Sequence, residues 1–249
     1  MKRVIRCDLT AREINYLDRR ANDLALRGAD NLPPGAINQH WRISRQTRTL
    51  NGIFDKLRSM MGPFERCMYC LDSHGCDIEH FKPKASYNES MYTWNNLLLC
   101  CTECGRLKGS KFPMDGAEPL LIDPTGENPW DHLSFDPRLD TITASFDLAS
   151  NTFDKKGTAT VELLNLDRRE ALQHIYRRAY RRLTHCITQI IDAPPAPDEA
   201  VDILIEEDVC GLLGWMFGLE GERISPMLEL KEHYVGIWDA CHRKFVLMA

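Results

Sequence analysis

Cys67-Met-Tyr-Cys70, Asp77-Ile-Glu79-His80-Phe81-Lys82-Pro83, Trp94-Asn95-Asn96-Leu97 and Cys101-Thr-Glu-Cys104-Gly105-Arg106-Leu-Lys108 follow one another in a single window of the chain. Two CxxC pairs can close one tetrahedral zinc site, because structural zinc takes four thiolate or imidazole ligands. Thirty residues, Leu71 to Cys100, separate the pairs, enough for a hairpin and the start of a helix. The spacing predicts one zinc on Cys67, Cys70, Cys101 and Cys104. The rival for a CxxC is a redox motif, but that comes once, at a helix start in a βαβ pattern, and nothing similar surrounds these pairs. Cys100 is one residue too early for the spacing, and Cys76 stays an alternative ligand. Four thiolates leave no open position for water, so this zinc is structural and chemistry needs a second metal.

Glu79 and His80 sit between the pairs. A histidine near neutral pKa can take a proton from water. An adjacent carboxylate can ligate a divalent ion, Mg²⁺ or Mn²⁺, that neutralises phosphate charge. Successive strand residues point to opposite faces, so both reach one site only where the strand ends in a turn, and Pro83 predicts such an ending. The bland alternative is an exposed Glu-His pair at a strand end.

Upstream of the window, Thr10 and Glu13 form a capping-box signal, with Ile14, Leu17, Ala21, Leu24 and Ala25 at helical spacing through residue 27. Asn31-Leu-Pro-Pro-Gly35 reads as a break. A second helix is expected over 44–61, with Leu50, Ile53, Phe54, Leu57 and Met61 on its apolar face, ended by Gly62-Pro63. Downstream, 113–137 is rich in Pro, Gly and Asp and reads as an ordered, irregular excursion. A strand over 142–146 pairs with 133–135. Residues 158–183 are strongly helical, Ala193-Pro-Pro-Ala-Pro197 is the best linker, and 199–247 alternates helical patterns with Gly breaks. The fold class is α+β, mainly helical. The expected organisation is an N-terminal helical region (1–62), a zinc-holding core (63–116), an extension with short strands and a basic helix (117–192), and a C-terminal helical region (193–249).

The chain has 249 residues, 43% hydrophobic and 27% charged, ordinary for a globular protein that builds its core without staples. Of ten cysteines, Cys7, Cys76, Cys100, Cys186, Cys210 and Cys241 fall outside the pairs and read as small buried hydrophobes or free thiols. The start of the chain has no apolar h-region and no stretch is long enough to span a membrane. A reducing, cytoplasmic location follows, in which CxxC pairs hold metal rather than disulfides. A net charge of −5 argues against indiscriminate nucleic-acid binding, which is mostly phosphate neutralisation. Any grip on nucleic acid must be local or borrowed.

The window resembles the HNH endonucleases of the ββα-metal type in their zinc-stabilised form. Their pattern of CxxC, an acidic residue before histidine, hydrophobic-x-Pro, Asn-Leu and a second CxxC followed by Asn and Lys is met by Cys67/Cys70, Glu79-His80-Phe81-x-Pro83, Asn96-Leu97, Cys101/Cys104 and Lys108. The resemblance implies a ββα-metal core with His80 as general base and Glu79 as ligand of the catalytic Mg²⁺ or Mn²⁺. Asn96 would pin the loop and orient His80 by hydrogen bonds, and the products would carry 5′-phosphate and 3′-hydroxyl ends. One position departs. The family has Asn or His directly after the last cysteine as second ligand, and this chain has Gly105. Water, Glu103, Asp77 or His74 are the candidates to replace it.

The likeness continues through Lys108-x-x-Lys111-Phe112-Pro113, Glu118-Pro-Leu-Leu-Ile-Asp-Pro124, His132-Leu-x-Phe135 and Glu162-Leu-Leu-Asn165-Leu, covering about residues 40 to 185. Over this span the chain is similar to the HNH subunits that accompany an ABC/SMC-like ATPase in bacterial anti-phage defence, of the Septu type including retron-associated forms. The resemblance implies such an ATPase as partner and nucleic acid, DNA first, as substrate.

By position, Lys82, Lys84, Arg106, Lys108 and Lys111 are the candidate phosphate contacts. Arg177, Arg178, Arg181 and Arg182 form a basic stripe opposite Leu172, Ile175, Ala179 and Leu183. The stripe is open to three readings: a solvated face, a phosphate contact or a contact with an acidic partner. Tyr176 and Tyr180 read as core edge. His132, His174, His185, His233 and His242 have no ligand-like spacing and read as structural or exposed. Trp215-Met-Phe217, Ile237-Trp238 and Phe245-Val-Leu247 read as helical core closing over the N-terminal helices, with a docking surface for the ATPase as the sharper alternative. Two rivals stay open beside the DNA endonuclease: a catalytically silent zinc-binding scaffold or sensor subunit, kept alive by Gly105, and an RNA-cleaving nuclease.

Overall fold

The Thr10–Glu13 capping box forms as read: the Glu13 amide donates to Thr10 Oγ1 at 3.4 Å, and the Thr10 amide donates to Glu13 Oε2 at 2.7 Å. It opens α1, Ala11–Leu26. This helix buries Tyr16, Leu17 and Leu24, whereas Ile14, expected on the apolar face, is exposed. In the computed structural model, residues 1–28 and 32–247 are described. They divide into two compact units, Val4–Thr125 and Met1–Arg3 with Gly126–Ala249. The fold is α+β and mainly helical.

The helix expected over 44–61 is α3, Arg48–Ser59, and an additional helix, α2, Pro34–Arg45, precedes it and ends inside the expected range. Of the stretch read as a break, Asn31 lies outside the described residues, while Pro33 and Pro34 start α2. Proline suits a helix's first turn, whose N–H groups have no intrahelical partner. Thr47 ends the continuity, because its side chain accepts from the Leu50 amide as the N-cap of α3. Leu50, Ile53 and Leu57 of α3 are fully buried.

The window of the two CxxC pairs folds as β1, Asp77–His80, antiparallel to β2, Leu97–Cys100, followed by α4, Thr102–Lys108. The register pairs Asp77 with Cys100 and His80 with Leu97. All of β2 is buried, with α3 packed against it. The excursion after α4 holds one short pairing, β3 (Met114–Asp115) with β4 (Glu118–Pro119), and buries Leu121 and Ile122.

In the other unit, β5 (Leu133–Asp136) pairs antiparallel with β6 (Thr141–Ala144), close to the expected hairpin. Phe146 instead belongs to a second hairpin, β7 (Phe146–Asp147) with β8 (Thr152–Phe153). The strongly helical stretch divides into α5, Lys155–Leu164, and α6, Glu170–Asp192, because Asn165 turns left-handed. Ala193–Pro197 joins α6 to α7 (Pro197–Glu207), and the two helices pack together. The short helices α8 (Leu213–Met216), α9 (Met227–His233) and α10 (Val235–His242) complete it. Trp215, Met216, Phe217, Ile237, Trp238 and Phe245 are buried in this unit, with Phe217 5.0 Å from Trp238 and 5.3 Å from Phe245, ring to ring. Among the described residues no helix is long and apolar enough to cross a membrane.

Candidate active site

The two CxxC pairs converge. Cys67 lies in a tight knuckle: its amide donates to the Ser73 carbonyl (2.9 Å), its carbonyl accepts from the Leu71 amide (3.0 Å), and Leu71 is left-handed. Arg66 ties the knuckle by donating to the Leu71 and Asp72 carbonyls. Cys101 is the N-cap of α4, its thiol accepting from the Cys104 amide at 3.4 Å. The four sulfurs of Cys67, Cys70, Cys101 and Cys104 are buried and lie within 4.8 Å of one another, with Cys70 and Cys101 3.8 Å apart. Tetrahedral thiolates at zinc distance stand about 3.8 Å apart, so the four could hold zinc. Thiols this close cannot all ionise without a cation between them. Cys101, bonded by Cys100 and then by Cys104, is held far below the ordinary thiol range, while Cys70 and Cys104, whose thiols bond to it, are pushed above it. Cys100, set aside on spacing, is buried against this cluster and donates to the Cys101 carbonyl at 3.3 Å. Cys76, the alternative ligand, is exposed and lies 3.2 Å from the Thr102 hydroxyl.

Strand alternation separates Glu79 from His80. Glu79 faces α4, where its Oε1 pairs with Lys108 Nζ at 3.0 Å. Lys108 is fully buried and also donates to the His80 carbonyl at 2.7 Å. Burial raises the Glu79 carboxyl above its usual range, and the nearby charge of Lys108 pulls it back. This is a correction to the reading of Lys108 as a phosphate contact: its ammonium is committed inside the fold. Lys82, Arg106 and Lys111 are exposed, and Lys84 is half-buried.

His80 faces the other way. It is 3% exposed, with Nε2 3.1 Å from the Met91 carbonyl and its ring edge-on to Trp41 at 4.4 Å. Burial, aided by the charge of Lys84, pushes its pKa down to about 3, so the ring is neutral near pH 7. A carbonyl only accepts, so Nε2 carries the proton and Nδ1 keeps its lone pair. Asn96 closes the loop after β1: it accepts from the Lys82 amide (2.7 Å) and donates to the Lys82 and Ser90 carbonyls (3.1 and 3.0 Å). Its hold on His80 is indirect, through Ser90, the residue before Met91.

Trp41 and Met91 were not legible as site residues. Trp41 lies on α2, in the stretch between the expected break at 31–35 and the expected helix over 44–61 that the sequence reading left unassigned, and Met91 acts through its backbone.

Among the described residues no group of three or more metal-ligating side chains gathers around Glu79; the four cysteines are the only such group. Asp77 pairs with Arg45 at 2.9 Å and His74 lies 3.9 Å from Glu65. A Cβ at Gly105 would stand 3.6 Å from Glu79 Oε2, so the helix position that departs from the HNH pattern does border this carboxylate. Mg²⁺ keeps several waters and is held by one or two carboxylates. Glu79 with water fits such an ion; a closed protein cage is absent among the described residues.

The basic stripe is partly consumed. Arg177 pairs with Asp140 at 2.6 Å and Arg182 with Glu207, while Arg178 and Arg181 are exposed on α6. Tyr176 is buried, Tyr180 half-buried. His132, read as structural, lies between Asp154 (3.1 Å) and Glu127 (3.2 Å).

No family model matches the chain. It is 27% identical over 152 residues to a protein named Septu protein PtuB from Bacillus thuringiensis, covering 57% of this chain and 54% of that protein. It is 31% identical over 137 residues to a protein of the same name from Bacillus mycoides (strain KBAB4), covering 42% and 44%. The chain thus spans about half the length of the curated relatives it matches.

Proposed function

We propose that this chain is a metal-dependent HNH endonuclease of the ββα-metal type that hydrolyses phosphodiester bonds, DNA first, as the effector subunit of a Septu-type anti-phage complex with an ABC/SMC-like ATPase. The carrying observation is His80: a neutral imidazole fixed by the Met91 carbonyl and Trp41, its Nδ1 lone pair unspent. It stands at the end of β1, beside Glu79 and the four-cysteine cluster. The similarity to two proteins named Septu protein PtuB supports the defence role.

In this reading the four cysteines hold zinc and fasten β2 and α4 to the knuckle. His80 Nδ1 takes the proton of the attacking water. Its lowered basicity keeps it deprotonated at working pH and costs proton-transfer driving force. Asn96 fixes the 81–96 loop and with it the Met91 carbonyl. Lys108 holds Glu79 against α4 and leaves Oε2 toward Gly105. Glu79 would hold the divalent ion, which when bound would supply charge neutralisation at the phosphate and leaving oxygen. Lys82, Lys84, Arg106 and Lys111 steer the phosphate backbone to the site.

The test is cleavage of plasmid, single-stranded DNA and RNA with Mg²⁺ and with Mn²⁺, by the chain alone and with the ATPase. Cutting must vanish in His80→Ala while zinc content stays. A second reading, a catalytically silent zinc-binding scaffold or sensor, is favoured by Gly105 and by the commitment of Glu79 to Lys108. A complex that still defends with His80→Ala supports that second reading and excludes the first.

A further inference from the structure

The His80 ring is held from two sides by elements outside the β1–β2–α4 assembly. Met91, from the loop between the strands, accepts its Nε2 proton, and Trp41, from α2, packs edge-on against its ring. The chain neighbours of these two residues, Tyr92 and His40, bond to each other. The Tyr92 hydroxyl lies 2.7 Å from His40 Nδ1, and the rings meet edge-on at 5.6 Å. Two adjacent pairs, 40–41 and 91–92, thereby close around His80, and the His40–Tyr92 hydrogen bond fastens them.

That bond is itself fixed. His40 Nε2 lies 2.9 Å from Asp23 Oδ2, and a carboxylate can only accept, so the neutral ring carries its proton on Nε2. Burial holds His40 below its ordinary range and keeps it neutral. Its Nδ1 therefore accepts from the Tyr92 hydroxyl. With its own proton on Nδ1, the same hydroxyl accepts from Ser44 Oγ at 2.7 Å, and Ser44 Oγ in turn accepts from Arg20 Nε at 2.9 Å. An Asp–His–Ser set would suggest a nucleophile, but Ser44 is fully buried and its oxygen committed. The network has the chemistry of a support.

We propose that His40 and Tyr92 are positioning residues that lock the His80 imidazole in its Nε2–H tautomer with Nδ1 presented. The purpose of that presentation rests on the nuclease reading; the lock itself is measurable without any cleavage. The experiment uses the full-length, zinc-loaded chain with ¹⁵N-labelled histidine, the His80 signals being identified with His80→Gln. The parent should show one His80 tautomer. Tyr92→Phe and His40→Leu should each show two in exchange. His40→Asn, whose amide oxygen can still accept the Tyr92 hydroxyl, should keep one. The corresponding loss of plasmid cleavage with Mn²⁺, on the scale of one hydrogen bond, is about fivefold, in kcat rather than KM. Unchanged His80 signals in Tyr92→Phe would overturn the proposal. If Tyr92→Phe does not fold, the contrast between His40→Leu and His40→Asn decides, and identical behaviour of the two would overturn it. A chain that shows the tautomer change but never cuts would refute the nuclease reading and leave the lock standing.

Discussion

Replacing Lys108 by Met tests the buried arrangement at the heart of the site. Lys108 is wholly inside, paired with Glu79, whose side chain keeps 19% of its surface exposed. Removing one partner of a buried ion pair leaves an uncompensated charge and costs about 3–5 kcal/mol. The two single losses are not equivalent here. Glu79→Leu strands an ammonium with no route to water, so the full range applies, about 3–5 kcal/mol. Lys108→Met leaves a carboxylate that still touches solvent and can take a proton, so about 2–3 kcal/mol is expected. The double replacement removes both charges and should recover about 2 kcal/mol relative to the sum of the singles. Urea unfolding of zinc-loaded protein, followed by far-UV ellipticity, reads these as midpoint shifts of about 1 M for Lys108→Met. Without Lys108 the Glu79 carboxyl, already raised by burial, rises further. A raised carboxyl binds its proton more tightly folded than unfolded. The Lys108→Met penalty must therefore shrink as pH falls through that folded pKa. A Lys108→Met protein within about 0.5 kcal/mol of the parent, or one costlier than Glu79→Leu, would refute the reasoning.

Three further outcomes are expected. The purified chain should carry one zinc ion by elemental analysis; Cys104→Ser should lose it, and a chelator should destabilise the Val4–Thr125 unit, since structural zinc contributes about 10 kcal/mol or more to folding. Gly105→Asn should fold, because a Cβ there meets only ordinary contacts, and should tighten Mn²⁺ binding about tenfold by adding a ligand beside Glu79, measured by titration calorimetry; unaltered Mn²⁺ affinity would show that Gly105 is not the vacated ligand position. His132 is raised from its ordinary value by its hydrogen bond to Glu127, against burial and with help from Asp154. Its contribution to stability is complete below about pH 6.5 and is lost as pH rises through the folded pKa. His132→Asn should flatten that part of the pH–stability curve, read by thermal unfolding across pH 5.5 to 9.

The convergence of the four cysteines was legible because two CxxC pairs at matched spacing are a local signature that tertiary context cannot easily disguise. The α1 cap and the β5–β6 hairpin were legible for the same reason: capping chemistry and strand alternation are written over a few residues. What failed was local ambiguity. Pro33-Pro34-Gly35 satisfies a break and a helix start equally, and only the tertiary burial of Ile37 and Trp41 selects the start. Thr47 is polar inside a helix or just before one, and its N-cap bond starts α3 at Arg48 rather than at the expected Ser44. Long-range partners left no trace at all. Lys108 carries the same charge as Lys111 in the sequence, yet one is buried against Glu79 and the other exposed.

The separation of Glu79 and His80 onto opposite faces of β1 constrains any reaction at this site. An ion on Glu79 and a proton acceptor on His80 can act on one phosphate only if that phosphate straddles the strand's end, where the chain enters the 81–96 loop. The side chains then owe their relative placement to backbone groups rather than to each other. Lys108 bonds the Glu79 side chain and the His80 carbonyl together, which fixes the strand end from the α4 side. Asn96 bonds Lys82 and Ser90, which fixes it from the loop side and sets the Met91 carbonyl against His80. Neither residue needs to touch substrate for its loss to move the two groups apart, and misplacement of about 1 Å is enough to cost about a hundredfold in rate. Glycine at position 105 fits this division, because the α4 face holds the carboxylate through a lysine where the HNH pattern would use a second ligand.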